Sequence, residues 1–482
     1  MAFDDLRSFL DCLESRGALR RVSKEVDGDL ELGAIMHEVH RRGGPAVLFE
    51  RISGCDYAMV SGAIGSPEHL ALALGLPNDP RLLQQKGMDA MRHPLPPLEV
   101  DSGASQEYLI SGADVDLSRF PAPFWHPLDG GRYIGTFGVV ITQDPETGAR
   151  NAAVYREQVV GRNKTGILLG RNGAVMLQKY LAMGKPMPIA TCFGVPPAVL
   201  VSAIMPVNYG EDELALAGAF LGKPLPVVKG KTVDLLVPAN CEFVFEGWIS
   251  PDQASWEEEG PFGEYTGYYG GERFKRPTIE LTAVTHRPNP IMHGTLEGRA
   301  PNESEVIATF AHNIGVKADL IKLGVPGIKD VYARARSFIT AISLERQFYA
   351  GHARQVIDAA LVVCRGAKWI IVVDGDIDVF NPEDIDWAVA TRVQPHRDIV
   401  ITDNHHVGMV LDPSIHPDLR PNWLDVHTSK IGIDATTKYK GHDFPPAVEP
   451  DAATHARVLE HWAEYGIDSA SSVDPALAAA GR

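Results

Sequence analysis

The pattern of hydrophobic and polar positions changes its character twice along the chain. In the first 123 residues, apolar positions at helical spacing alternate with short apolar runs. Leu6, Phe9, Leu10 and Leu13 would share one face of a helix, and the run from Ala46 to Phe49 is typical of a strand. Regular alternation of helices and strands predicts an α/β region.

Short β-rich runs replace this alternation between residues 124 and 303. Gly- and Pro-containing turns separate the runs, which predicts a barrel or a sandwich. Two helical segments, near 174–183 and 213–221, interrupt it. The β-rich runs cover residues 133–142, 153–160, 187–193, 225–228, 242–249 and 278–285.

From residue 304 the alternation returns, with a buried-type strand at Trp369–Asp374 and a helix at Ile385–Val393. A proline-rich stretch at 94–123 predicts a linker before the β-rich part. The pattern therefore predicts an α/β (α+β multidomain) chain with three domains: an N-terminal α/β domain at 1–123, a central β-rich domain at 124–303 and a C-terminal α/β domain at 304–482.

Composition and charge exclude several classes of protein. The 482 residues are 45% hydrophobic and 22% charged, as in ordinary globular proteins, and the net charge of −17 disfavours a general nucleic-acid binder. No apolar run reaches the roughly 18 residues of a membrane helix. The N-terminus has no signal-peptide pattern, and the five cysteines form no CxxC pair. We therefore expect a cytoplasmic protein without a disulfide framework or a thiolate zinc site.

Three tempting motifs fail on their own constraints. The acidic run Asp374 to Asp378 resembles a calcium loop, but Val379 and Ile385 stand where glycine and glutamate are required. Gly230-Lys231-Thr232 lacks the upstream glycine of a phosphate loop. His405 and His406 are adjacent, and adjacent residues on a strand point to opposite faces.

Carboxylates lie on both sides of the turn Gly260-Pro261-Phe262-Gly263. Glu258 and Glu259 precede it and Glu264 follows it. A carboxyl forced into an apolar turn has a raised pKa, which suits proton transfer near neutral pH. A solvated acidic loop explains the spacing equally well.

Seven segments, taken in order, carry a more specific signal. Together they closely resemble the UbiD family of prenylated-FMN-dependent (de)carboxylases, over most of the chain. The segments are Gly135-Thr136-Phe137, Asn151 to Arg156, Cys192 to Ala198, Glu213 with Ala217-Gly218-Ala219, Glu259 to Glu264, Val373 to Asp378, and Ser429 to Thr436.

The resemblance implies a fold, a cofactor and a reaction. The central domain would be a split β-barrel that binds the flavin, and the C-terminal domain would form a homodimer or homohexamer. The reaction would be reversible, non-oxidative decarboxylation of a small-molecule carboxylic acid. Prenylated FMN, supplied by a separate flavin prenyltransferase, would carry the electronic chemistry. A divalent metal, Mn²⁺ or Mg²⁺, would join its phosphate to the protein, with K⁺ nearby.

The resemblance also assigns binding residues. Asn151 and Glu213 would ligate the divalent metal, and their oxygen donors suit such a hard cation. Where many relatives have a metal-binding histidine this chain has Asn172, so either its amide oxygen or a water would complete the site. Carbonyls of Ser202, Ala203 and Met205 would hold K⁺. The residues that would line the flavin are Val154, Tyr155, Arg156, Leu168, Leu169, Gly170, Arg171, Asn172, Met205 and Glu213. Taken singly, Asn151 also fits a turn and Glu213 a helix start.

Arg156, Glu259 and Glu264 match the catalytic set of the family. Arg156 would orient the substrate carboxylate, Glu259 would hold Arg156, and Glu264 would deliver the proton that replaces CO₂. The sequence does not separate this role of Arg156 and Glu259 from a purely structural ion pair.

Aromatic residues near this set indicate the kind of substrate. Tyr265, Tyr268, Tyr269 and the stretch from His405 to Trp423 offer flat surfaces that suit an aromatic or heteroaromatic acid. The alternative is an α,β-unsaturated acid on the same cofactor. Two other classes are an ordinary FMN oxidoreductase and a non-catalytic subunit, and retention of all three catalytic-type residues argues against the latter.

Overall fold

The computed structural model describes residues 2–299, 301–335, 338–364, 366–406, 411–415, 426–440 and 444–466. The chain divides into two units, Met1–Tyr439 and Lys440–Arg482. All the predicted catalytic, cofactor and metal residues lie in the first unit.

The N-terminal part alternates helices and strands, as predicted. Asp5 caps the first helix by accepting a hydrogen bond from the Ser8 amide at 2.9 Å, and the predicted apolar face of this helix is buried. The elements are α1 (Leu6–Ser15), β1 (Leu19–Val22), α2 (Glu31–Arg41), β2 (Ala46–Phe49), β3 (Ala58–Ser61), α3 (Pro67–Ala73) and α4 (Pro80–Arg92).

The central part is built on a curled, antiparallel half-barrel sheet. Its elements are β4 (Leu98–Glu99), β5 (Tyr108–Ser111), β6 (Tyr133–Gly135), β7 (Val139–Gln143), β8 (Arg150–Val154), β9 (Glu157–Gly161), β10 (Lys164–Ile167), α5 (Arg171–Ala182), β11 (Met187–Phe193), α6 (Pro197–Ser202), α7 (Glu213–Leu221), β12 (Pro226–Lys229), β13 (Leu236–Pro238), β14 (Phe243–Ile249), β15 (Glu257–Glu259), β16 (Phe262–Gly263), β17 (Tyr269–Gly270), β18 (Phe274–Arg276), β19 (Thr278–His286) and β20 (Ile291–His293). The large sheet has the order β6-β9-β10-β19-β14-β11-β7-β8, and β5 also pairs with β19.

Two runs predicted as single strands are each divided in two. The run at 133–142 is interrupted between β6 and β7, and the run at 153–160 breaks at Tyr155 and Arg156, between β8 and β9. The second break matters for function, because it releases Arg156 from the strand ladder just where the sequence predicts chemistry.

Strands also connect the N-terminal and central parts. β20 runs parallel to β3 and completes a four-stranded sheet with β1 and β2. β5 comes from the stretch predicted as a linker, yet it pairs with β19 in the large sheet. The domain boundaries at 123/124 and 303/304 stay predictions.

The C-terminal part returns to alternation around a sheet of order β21-β22-β23-β25-β24, whose two inner pairings are parallel. The elements are α8 (Glu303–Lys322), β21 (Ile328–Arg334), β22 (Ile339–Leu344), α9 (His352–Val363), β23 (Trp369–Asp374), α10 (Pro382–Arg392), α11 (Pro395–Asp398), β24 (Ile399–His406) and β25 (His427–Ala435). The mixed architecture confirms the predicted fold class.

The rejected calcium-like motif begins at Asp374, the last residue of β23, and arginines form ion pairs with its carboxylates. Asp376 binds Arg392 at 2.6 Å, and Asp378 binds Arg81 at 3.0 Å. Ion pairs within the protein therefore account for this acidic run.

The described part of the second unit contains the helix α12 (Ala452–Glu460), capped by Asp451, and a short 3₁₀ turn at Trp462–Tyr465. Across the described residues of both units, every helix is too short or too polar to cross a membrane.

Candidate active site

Arg156, Glu259 and Glu264 form one buried ionic cluster. Nε and Nη2 of Arg156 donate to the two carboxylate oxygens of Glu259 at 2.8 and 3.0 Å, and Nη1 donates to Oε1 of Glu264. The residues are only 9%, 0% and 8% exposed, respectively. The structure thus brings together the three residues predicted to be catalytic. Their burial contradicts the alternative of a solvated acidic loop for Glu259 and Glu264.

A second layer of polar groups holds the cluster in place. The Tyr133 hydroxyl donates to Oε1 of Glu259 at 2.8 Å. Gln158 accepts from the Gly260 amide at 2.8 Å, and Asp129 accepts from the Gly263 amide at 2.8 Å. Nothing in the sequence marks these residues, because Tyr133 and Gln158 follow an ordinary strand pattern and Asp129 lies in a turn.

The turn that carries Glu264 packs very closely against the loop before β6. A Cβ atom on Gly263 would lie 2.6 Å from Nδ1 of His126, so this position accommodates only glycine without movement. Close contact on this side fixes the direction in which Glu264 leaves the turn.

Burial raises the pKa of Glu264 above its ordinary value, and the Arg156 guanidinium opposes this effect. The direction agrees with the prediction made from the apolar turn. A carboxyl in this environment can hold a proton at a higher pH than a solvated one, which suits a general acid.

Asn151 and Glu213 lie buried on two neighbouring elements, β8 and α7. Glu213, at the start of α7, accepts a hydrogen bond from the Ala152 amide at 2.9 Å. The Asn151 amide nitrogen lies 3.5 Å from the Thr142 hydroxyl. Burial raises the pKa of Glu213 to about 7, and the charge of Arg150, which pairs with Asp212 at 2.6 Å, opposes this rise only in part.

These residues fit the divalent metal that the resemblance implies. Within the described ranges, no group of three or more His, Cys, Asp or Glu side chains could hold a metal on its own. A cation here would use one carboxylate and amide oxygens, and would need further ligands from a phosphate or water. A buried carboxyl with too little positive charge around it provides a good site for a hard cation.

The remaining segments predicted to contact the flavin converge beside this position. The Tyr155 hydroxyl donates to the Gly170 carbonyl at 2.9 Å, and the Leu168 amide reaches the Arg156 carbonyl at 3.4 Å. Asn172 lies in the first turn of α5, directly after Arg171. Val154 and Leu169, also predicted to line the flavin, pack at the edges of the two main hydrophobic cores.

Ser202, Ala203 and Met205 lie at the end of α6. The Met205 amide donates to the Ser202 carbonyl at 3.1 Å, and the Met205 carbonyl accepts from Val207 at 3.0 Å. Each of these two carbonyls keeps a second lone pair. The Ser202 hydroxyl is buried and has no hydrogen-bond partner among the described residues.

Of the residues predicted to shape the substrate pocket, Tyr268 and Tyr269 are 63% and 37% exposed. A Cβ on Gly270 would lie 2.9 Å from the Leu411 side chain and 2.6 Å from that of Glu264. A segment of the C-terminal part therefore reaches the catalytic turn. Trp423, which the sequence analysis also selected, lies outside the described residues.

Comparisons with known proteins agree with this geometry. Three family models match, all described as 3-octaprenyl-4-hydroxybenzoate carboxy-lyase: the N-terminal domain at residues 10–85, the Rift-related domain at 98–300 and the C-terminal domain at 306–435. An uncharacterised protein of Synechocystis is 33% identical and aligns over 96% of each chain.

Solved structures give the same result. The UbiD-class enzyme HmfF from Pelotomaculum thermopropionicum, in complex with FMN, is 36% identical, with a TM-score of 0.84 over 93% of this chain and 98% of that one. Vanillic acid decarboxylase from Sedimentibacter hydroxybenzoicus is 32% identical, with a TM-score of 0.84 over 97% and 100%. The 3,4-dihydroxybenzoic acid decarboxylase of Klebsiella pneumoniae is 27% identical, with a TM-score of 0.83 over 95% and 100%.

The family models and the similarity in fold to solved decarboxylases identify an enzyme of the carboxy-lyase class. More particularly, the chain belongs to the UbiD family.

Proposed function

We propose that this protein catalyses the reversible, non-oxidative decarboxylation of an aromatic or heteroaromatic carboxylic acid with prenylated FMN. The observation that carries the proposal is the buried cluster of Arg156, Glu259 and Glu264. It combines a fixed guanidinium, which can bind a carboxylate, with a carboxyl of raised pKa, which can deliver a proton.

Arg156 binds and orients the substrate carboxylate. Of its five N–H donors, Glu259 takes two and Glu264 takes one, and the described residues leave the other two without a partner. These two N–H groups belong to Nη1 and Nη2, and Nη1 regains its second donor when the Glu264 carboxyl turns away. These two donors match the two oxygens of a carboxylate.

Glu264 moves the proton. In its neutral form it donates a proton to the substrate carbon that loses CO₂, and in the reverse direction its carboxylate takes that proton back. Glu259 acts through Arg156, whose guanidinium it holds from one side, and Tyr133 fixes Glu259 in turn.

Prenylated FMN, when bound, supplies the electron-accepting ring for this chemistry. Asn151 and Glu213 would hold Mn²⁺ or Mg²⁺, with Asn172 or a water as a further ligand, and this cation would bind the cofactor phosphate. The carbonyls of Ser202, Ala203 and Met205 would hold K⁺. A separate flavin prenyltransferase supplies the cofactor. Solved relatives support this cofactor: one HmfF structure contains FMN and an evolved dimeric form contains prFMN.

The substrate class rests on the relatives and on the aromatic residues near Glu264. Two similar enzymes act on vanillic and 3,4-dihydroxybenzoic acids. An α,β-unsaturated acid remains the alternative, because Tyr265 and its neighbours provide flat surfaces without selecting a ring.

One experiment tests the proposal against the alternatives. The protein is produced together with a flavin prenyltransferase, and the extracted flavin is identified by mass spectrometry. A panel of aromatic and acrylic acids is then tested for CO₂ release and for H/D exchange into the decarboxylated products. Activity on aromatic members supports the proposal. Unmodified FMN with hydride-transfer activity would identify an oxidoreductase instead.

We also propose that residues 304–482 assemble the chain into a homodimer or homohexamer, since most enzymes of this size form symmetric oligomers. Light scattering at micromolar concentration tests this assembly, and a monomer would contradict it.

A further inference from the structure

Glu297 is a second buried carboxyl near Glu264, and the mechanism above does not use it. It lies in the loop between β20 and α8 and is only 9% exposed. Its Oε1 accepts a hydrogen bond from the Ser304 hydroxyl. Its Oε2 is buried and has no hydrogen-bond partner among the residues that the structure describes.

The loop that carries Glu297 packs against the catalytic turn at two points. Nε2 of His126 lies 3.0 Å from the Glu297 carbonyl, and the same ring lies against Gly263. Further along, a Cβ on Gly267 would lie 3.1 Å from the Arg299 side chain. Glu297 is therefore held to the same turn that carries Glu264.

The charge state of Glu297 follows from its surroundings. Burial raises its pKa to about 8, the Ser304 hydrogen bond opposes this, and the charges of Glu264 and Glu303 add to the rise. At neutral pH the carboxyl is therefore mostly protonated. Because Oε1 accepts from Ser304, the proton resides on Oε2, which becomes an O–H donor without an acceptor.

A buried donor without an acceptor is costly in a folded protein, and a ligand that supplies the acceptor removes that cost. Tyr265 lies in the electrostatic field of both carboxyls, since burial and the charges of Glu264 and Glu297 all raise the pKa of its phenol. Arg171, at the start of α5, opposes this rise. Glu297 thus lies close enough to Tyr265 and Glu264 for their charges to interact.

We propose that Glu297 is a substrate-recognition residue whose Oε2 hydrogen bonds a ring hydroxyl of the substrate, away from the carboxylate that Arg156 holds. The inference rests on the proposed function and narrows its substrate class. The substrate is a hydroxylated aromatic acid, because a phenolic oxygen accepts the Oε2 proton. A site built around a hydrogen bond rejects the analogue that lacks the partner, since its own polar group is then left unpaired.

Matched ligands test this recognition directly. The cofactor-loaded protein is titrated calorimetrically with 3- and 4-hydroxybenzoate and with 3- and 4-methylbenzoate, in which a methyl group replaces each hydroxyl. We expect the wild-type protein to prefer at least one hydroxyl acid over its methyl counterpart by at least about tenfold. No preference in the wild-type protein would overturn the inference.

Three variants locate the effect. Glu297→Met has similar length without a polar group, and should reduce the preference to about twofold or less. Glu297→Gln keeps a donor and an acceptor and should retain most of it. Ser304→Ala frees Oε1 and should give an intermediate preference. If Glu297→Met does not fold, the other two variants decide. A preference for the hydroxyl acid that equals wild type in Glu297→Gln and is reduced in Ser304→Ala supports the role of Glu297 in recognition. An unchanged preference in Ser304→Ala counts against that role.

Failure of this inference and failure of the proposed function have different signatures. If the loaded wild-type protein neither binds these acids nor exchanges hydrogen into any decarboxylated product, the proposed function fails and the inference fails with it. If the wild-type protein is active but Glu297→Met keeps the full preference, only the role of Glu297 is wrong. Equal loss of affinity or turnover for hydroxyl and methyl acids in Glu297→Met would likewise overturn recognition and point to a proton relay.

Discussion

The two ends of the active site are built in opposite ways. At the catalytic end, both oxygens of Glu259 accept from Arg156, and Tyr133 adds a third hydrogen bond. At the cation end, Glu213 is as deeply buried, yet its close contact is one backbone amide at 2.9 Å. Arg156 neutralises the Glu259 carboxylate directly, whereas no cationic side chain among the described residues forms an ion pair with Glu213.

This difference indicates what each end has to do. In its proposed role, the Arg156 guanidinium orients the substrate. Glu259 fixes it in position before the substrate binds, and this preorganisation favours a fast reaction. In its proposed role, Glu213 is reserved for an external cation. Its raised pKa, about 7, comes from burial that one backbone amide and the charge of Arg150 offset only in part.

The largest effect is expected when the catalytic end loses its proton. Glu264→Gln keeps the size of the side chain but carries no transferable proton, so turnover should fall at least ~10²-fold, the usual scale for a general acid. The flavin content should be unchanged, because the cation end is untouched. H/D exchange into the product in D₂O, at saturating product, isolates the proton step.

The exposed neighbour Glu258 provides a matched control, since Glu258→Gln changes the same chemical group one residue before Glu259. It should leave the exchange rate within about twofold, as expected for a surface substitution. Wild-type exchange in Glu264→Gln would show that another group carries the proton.

At the cation end, Glu213→Ala should yield folded protein that retains at least about tenfold less flavin and metal, because an essential oxygen ligand is gone. Visible absorbance measures the flavin, and elemental analysis measures the metal. Glu211→Ala, two residues upstream and exposed, should retain both. Full occupancy in Glu213→Ala would remove Glu213 from the metal site.

A smaller effect is expected at the second layer of the catalytic end. Tyr133→Phe removes the hydroxyl that donates to Glu259, while Arg156 keeps its two bonds to that carboxylate. We expect kcat/KM to fall about fivefold, the equivalent of one ordinary hydrogen bond, mainly through a higher KM. Tyr108→Phe, on an exposed tyrosine, is the control. A large fall in kcat at constant KM would instead place the Tyr133 hydroxyl in the proton-transfer step.

The sequence was sufficient for several elements and for the residues that carry the family motifs, but not for the breaks at β6/β7 and β8/β9 or for β5 in the predicted linker. Met187–Phe193 and Trp369–Asp374 were predicted to the residue, because a continuous apolar run bounded by turns leaves little choice. Arg156, Glu259 and Glu264 were selected from motif spacing, and the structure places them in contact. Their catalytic roles stay predictions.

What the sequence could not supply is contact between distant segments. Asp129 and His126 support the catalytic turn from more than 130 residues away, and nothing in their local pattern marks them. Glu297 precedes a helix as many surface glutamates do, and only its burial against the turn distinguishes it. Long-range packing of this kind depends on the whole fold and has no local period.

The smallest effect concerns a third carboxyl, that of Glu157. It tests how burial raises a carboxyl pKa at a position away from both Glu259 and Glu213. Glu157 follows Arg156 in the chain and is 1% exposed. Among the described residues, its carboxylate accepts only from the hydroxyls of Thr165 and Thr191, at 3.0 and 2.6 Å. Burial without a cation raises its pKa from 4.5 to about 7. Between these two values the folded state binds more protons than the unfolded state, so this group lowers the stability as the pH rises.

Glu157→Gln removes the ionisation and keeps the shape, and each threonine hydroxyl can rotate to donate or accept. Relative to wild type, the variant should therefore gain about 1 kcal/mol in free energy of unfolding between pH 6 and pH 8, on top of any constant offset. Urea midpoints at pH 6, 7 and 8 measure the trend, and Glu280→Gln on the exposed side of β19 should show none. A difference that stays flat with pH would mean that Glu157 ionises normally in the folded protein. Burial alone would then not explain the raised pKa of Glu213 either, and the contrast between the two ends would lose its electrostatic basis.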